Sequence, residues 1–89
     1  MKAIVTVVGR DKTGIIARVS NLLYEHNVNI VDISQTIMGE IFGMTAMVDT
    51  KNCDVTFDEL KSALEEVGRS IGVQASIQHE DLFNSMHRI

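Results

Sequence analysis

Proline and tryptophan are absent from this 89-residue chain, cysteine occurs once, and aromatic residues make up 4% of it. Without proline, and without a Gly/Ser-rich or low-complexity stretch, nothing reads as a linker, and the length suits one hydrophobic core. A single cysteine, Cys53, excludes an intramolecular disulfide. Its neighbour Asp54 is expected to raise the thiol's pKa and dull its reactivity. Basic residues are scarce as well: 8 Lys and Arg stand against 12 Asp and Glu, a net charge of -4. That sign offers no general attraction to phosphate backbones, so nucleic acid is not an expected partner. No apolar run approaches membrane-spanning length, so no membrane partner is expected either. The opening Met1 to Val8 is too short for a signal-peptide core and runs straight into Gly9-Arg10-Asp11-Lys12. A reduced, cytoplasmic protein is the expectation.

What is present is strongly patterned. Ala3 to Val8 is rich in β-branched residues and reads as a strand ending at Gly9. After the polar turn Arg10 to Gly14, the residues Ile15, Ile16, Val19, Leu22 and Leu23 recur at helical spacing, with Asp11 or Thr13 as the expected N-cap and Asn27 as the stop. From Val28 the period becomes two. Val31, Ile33 and Ile37 alternate with Asp32, Ser34 and Thr36, and Phe42, Met44, Ala46 and Val48 return across a Gly39-Glu40 turn of type II′. Thr56 and Glu59 form a capping-box signature, flanked by Val55 and Leu60 as a hydrophobic staple. They open a second helix striped by Phe57, Leu60, Leu64, Val67 and Ile71 and stopped at Gly72. Val73, Ala75 and Ile77 alternate as a last strand.

The order strand, helix, strand, strand, helix, strand joins two right-handed crossovers by a hairpin. The fold class is therefore α+β: a ferredoxin-like βαββαβ sandwich, a four-stranded antiparallel sheet with two helices on one face, over residues 1–79. A short helical extension, residues 80–89, carries the stripe Leu82, Phe83, Met86 and Ile89. The expected core is Val5, Val7, Ile15, Val19, Leu22, Val31, Ile33, Met44, Val48, Leu60, Leu64 and Ile77. Ile4, Val8, Ile30, Ile41 and Met47 fall on the opposite sheet face, among Thr6, Asp32 and Thr45, where the tail helix is expected to lie on its own or a partner subunit.

Catalytic chemistry has no signature here: no nucleophile with its base and no paired carboxylates at a recognisable spacing. His79 and His87 are too far apart to share a metal by i, i+4 geometry, so neither a metal nor a cofactor is expected. The informative segment is Gly9-Arg10-Asp11-Lys12-Thr13-Gly14-Ile15, which leaves a strand and enters a helix N-terminus. Free N–H groups and the positive end of the helix dipole suit a carboxylate there, and Asp11 beside them suits an ammonium. A zwitterionic amino acid fits that pair, although a plain strand-to-helix turn has the same features.

Gly9 to Ile16, then Leu22-Leu23, His26-Asn27-Val28-Asn29-Ile30 and Asp32, resemble the opening half of an ACT domain, and the deduced element order is that family's order throughout the chain. In detail the chain is similar to bacterial proteins made of one ACT domain and to the ACT domains of the glycine cleavage system's regulator. The resemblance implies a regulatory module without catalysis, paired side by side into an eight-stranded sheet. A small-molecule amino acid would then bind at the interface, between the loop after the first strand of one subunit and the start of the second strand of its neighbour. The residues it implicates are Asp11, Thr13, Gly14, Ile15 and Asn29. Many members carry proline where this chain has Thr13. Some ACT domains bind no amino acid, so a subunit that contacts a protein partner without a small ligand is the alternative.

Overall fold

The computed structural model describes residues 1–86, and of Phe83, Ser85 and Met86 the backbone alone. Its elements run β1 (Lys2–Arg10), α1 (Ile15–Glu25), β2 (Asn29–Met38), β3 (Ile41–Asp49), α2 (Phe57–Ile71), β4 (Val73–His79) and α3 (Glu80–Met86). The four strands form one antiparallel sheet in the order β2-β3-β1-β4. This is the expected ferredoxin-like arrangement. No helix among the described residues is long and apolar enough to cross a membrane.

The core lies between the helices and one face of β1, β3 and β4, the last contributing Val73, Ala75 and Ile77. Alternation puts Ala3, Val5 and Val7 of β1 and Phe42, Met44, Ala46 and Val48 of β3 on that face, and all are buried. Ile15, Val19, Leu22 and Leu23 of α1 and Leu60 and Leu64 of α2 close over them. The hairpin turn is as expected: Gly39 has φ 61°, Glu40 is not among the residues of positive φ, and Met38 pairs with Ile41.

α2 begins at the capping box read from the sequence. The Thr56 hydroxyl accepts from the Glu59 N–H at 3.1 Å, and the Glu59 carboxylate accepts from the Thr56 N–H at 3.1 Å. The bond from the Thr56 N–H, and next the nearby Thr56 hydroxyl, hold the Glu59 carboxyl below the usual carboxylate range. At its other end α2 comes close to β4. A side-chain carbon on Gly68 would stand 2.7 Å from the Val73 carbonyl oxygen and 3.1 Å from the Ala75 nitrogen. Only glycine permits that contact, and α2 packs chiefly on β4 because of it.

β2 departs from expectation. The alternation predicted Val31 and Ile33 in the core, yet they are 49% and 43% exposed. Two causes act together. β2 is an edge strand that α1 only grazes. A bulge between Ile30 and Asp32 also shifts the phase, so Ile30 opposes Val48 and joins the core side while Val31 is the extra residue. Ile30 thus lies on the face opposite to the one expected for it. Ile4, away from the main core, is buried, whereas Val8 and Ile41 on the same face are exposed. α3 packs against β1 and β4 of its own chain. The side chains of Phe83 and Met86 in the predicted tail stripe, and the whole of Ile89, lie outside what is described.

Three outcomes test this packing. Leu64→Ala should lower the unfolding free energy by about 2–5 kcal/mol in a denaturant titration. Gly68→Ala should cost about 1–3 kcal/mol, because its new methyl meets backbone that cannot move aside. The Glu59 carboxyl binds its proton more weakly in the folded chain than in the unfolded one. Its contribution is therefore present above the ordinary carboxylate pKa and lost as pH falls through the lowered folded value. Glu59→Gln, which can still accept at the cap, should flatten the loss of the urea midpoint between about pH 5 and pH 3.

Candidate functional site

The segment joining β1 to α1 is held from two sides. The Asp11 N–H donates to the Glu40 carbonyl at 2.7 Å, which ties the loop to the β2–β3 turn. An Arg10–Glu40 ion pair at 3.7 Å lies beside it, and with both side chains over 70% exposed it contributes little. On the other side the Lys12 ammonium reaches Gly72, the C-cap of α2, where the helix dipole is negative. A hydrogen bond from Arg18 to the Ser70 hydroxyl, 3.1 Å, adds a second tie between α1 and the last turn of α2.

The cap of α1 differs from the sequence expectation. Neither Asp11 nor Thr13 caps the helix. Gly14 occupies the N-cap position at φ 94°, its carbonyl accepts from the Arg18 N–H at 2.9 Å, and no side chain bonds to the end of the helix. Thr13 is displaced by one position and Asp11 by three, which takes both out of reach of the cap geometry. No acidic residue stands in the first turn. The N–H groups of Ile15, Ile16 and Ala17 thus have no side-chain acceptor among the described residues. The space above Gly14 is open, with no atom within 4 Å of the point where a side-chain carbon would stand. Asp11 and Thr13 are exposed beside that end, and the Asp11 carboxylate makes no hydrogen bond among the described residues. A carboxylate would meet donors at the helix end and an ammonium would meet Asp11.

Asp11, Thr13, Gly14 and Ile15 are therefore together. Asn29 is not with them. It opens β2 opposite Asp49, whereas the loop leaves from Arg10, opposite Ile41 at the other end of β3. Eight strand steps separate those ends, roughly 26 Å. The end of β2 nearest the loop is Met38, and from there toward Asn29 the strand exposes Ile37, Ile33 and Val31, with Ile41 and Met38 at the turn. This apolar margin and the Glu40 anchor escaped the sequence reading. Alternation does not tell which strand the helices leave uncovered, the bulge displaced Val31, and only the hairpin register brings Glu40 to Asp11.

A family model described as the ACT domain matches residues 2–78. A UPF0237 protein of Clostridium acetobutylicum is 53% identical over 89 residues, covering 100% of both chains. One from Methanocaldococcus jannaschii is 51% identical over 88 residues, covering 99% of this chain and 98% of its own. Among solved structures, an ACT domain protein from Streptococcus pneumoniae aligns with a TM-score of 0.82 at 43% identity, covering 93% of each chain. The regulatory subunit of aspartate kinase from Thermus thermophilus aligns with a TM-score of 0.67 at 28% identity, covering 86% of this chain and 50% of that one.

The backbone at Gly14 can be tested alone. Gly14→Ala should cost about 1–2 kcal/mol through the left-handed conformation, since there is no atom for the methyl to strike. Gly14→Asn should recover most of that loss, which chemical denaturation of the two variants would show.

Proposed function

The chain belongs to the ACT domain family, and we propose that it is a regulatory module without catalysis that takes a small amino acid between two copies of itself. One observation supports this reading: Asp11 and Gly14 stand by one end of β2 and Asn29 at the other, and the edge between them is open and apolar. If β2 of one copy pairs antiparallel with β2 of a second about a two-fold axis, Asn29 of each copy arrives beside the Met38 end of the other. That is the end where Asp11, Gly14 and the uncapped start of α1 stand. The same pairing covers Val31, Ile33, Ile37 and Met38, which otherwise form an exposed apolar margin on an edge strand.

In the assembled site the carboxylate of the amino acid accepts from the first N–H groups of α1, and Asp11 takes the ammonium. Asn29 of the second copy closes the site. Ligand binding then depends on the dimer, and ligand stabilises the dimer in return. The family's regulatory character and the 28% identical regulatory subunit of aspartate kinase support this reading. An amino acid of about seven non-hydrogen atoms, at roughly 1 kcal/mol each, is held with micromolar affinity at best.

A thermal-melt screen of the twenty amino acids tests the proposal. A true ligand at about 100 times its Kd stabilises by about 2.7 kcal/mol, worth roughly 10 °C or more in a domain this small. Asp11→Ala should abolish that shift without moving the melt of the free protein. Ile37→Glu should give a monomer by sedimentation and lose the shift as well. A flat screen, or a shift that survives in Asp11→Ala, would overturn the assignment.

A further inference from the structure

The second sheet edge is built differently from the first. β4 pairs with β1 on one side only, from Ala3 opposite His79 to Gly9 opposite Val73, with no break in register. Val73 to Gln78 contains no charge, proline or bulge, the usual devices that blunt an exposed edge. Along this edge runs an open groove of about 370 Å³, floored by Val73, Gln74, Ala75 and Ser76 and walled by Glu65 and Arg69 of α2. Glu65 and Arg69 are exposed, and neither is in an ion pair among the described residues.

We propose that this groove binds an extended segment of a partner protein as a fifth strand, antiparallel to β4, with a basic residue opposite Glu65 and an acidic residue two positions later opposite Arg69. The spacing and direction follow from geometry. Four residues of helix rise about 6.0 Å, and two residues of strand advance about 6.7 Å on one face. The pair on α2 therefore matches alternate side chains of an added strand. Because α2 turns back into β4 at Gly72, a strand antiparallel to β4 runs in the same direction as α2. It meets Glu65 first and Arg69 second, so the order is basic, any residue, acidic. Edge hydrogen bonds supply the affinity, and the two charges set register and direction.

The occupant is another protein rather than a second copy of this chain. No Lys or Arg in the sequence is followed two residues later by Asp or Glu. Strand-to-strand pairing of two β4 edges would also bring a second α2 onto the line of the first, since α2 lies over β4.

Two capped heptapeptides labelled with fluorescein test this: Thr-Val-Lys-Val-Glu-Val-Thr and its charge-reversed form, Thr-Val-Glu-Val-Lys-Val-Thr. By anisotropy the intact protein should prefer the first about fivefold or more. The double substitution Glu65→Arg with Arg69→Glu, both on an exposed helix face, should invert that preference. Glu65→Gln with Arg69→Gln should erase it, and serves if the reversed pair melts early. Amide shifts on binding should centre on Gln74 and Ser76. Failure of both peptides to bind, equal affinity for both, a preference unchanged by the reversal, or shifts centred on β2 would each overturn the proposal. Because no amino acid is present, the result stands apart from that of the ligand screen.

Discussion

The contact on which the layout depends is the approach of α2 to β4 at Gly68. A helix normally stands off a sheet by the depth of its side chains, but here it rests against the backbone of Val73 and Ala75. α2 thus packs closely on β4, while α1 makes little contact with β2. Ile33 and Ile37, paired with the buried Ala46 and Phe42, lie on the helix side of the sheet and are still 43% and 56% exposed. Alongside the close approach of α2 at Gly68, Glu65 and Arg69 stand beside the free edge of β4, where they wall the groove. The missing methyl group at Gly68 thus shapes the β4 margin of the sheet.

The two edges are treated unequally. β2 is bulged and apolar, which bends it and restricts the partners whose register can match. β4 is regular and uncharged, open to any extended chain that satisfies its backbone groups. In the readings proposed above, the β2 edge serves association between like chains and the β4 edge a different protein. On that proposal an amino acid at the β2 margin would alter assembly without any chemical step, the behaviour that suits a regulatory module.

The β1–α1 loop is kept in place without proline. Its amide is bonded to the hairpin turn at Glu40, and Lys12 spans to the end of α2. Gly14 then turns the chain so that the helix begins with its N–H groups facing open space. A Thr or Asp at the N-cap would have satisfied one of those groups internally and reduced what is left for a ligand.

Most of the fold was legible in the sequence, because periodicity and caps are local. The two-residue alternation of β1 and β3, the Thr56–Glu59 box, the Gly39-Glu40 turn and the stop at Gly72 depend on neighbours within a few residues. Burial follows from alternation wherever a strand has neighbours on both sides and helices above it, as β1 and β3 do. The sequence by itself therefore determined the element order, the central core and the position of the loop whose chemistry stands out, a polar turn entering a helix. The tertiary structure alone decided which strand is an edge, where the bulge shifts the phase of Val31, that Gly14 rather than Thr13 caps α1, and that Asn29 lies far from Asp11 in one chain. Each of these depends on which distant segments meet, and a side-chain period of two or 3.6 residues carries no record of its neighbours across the sheet.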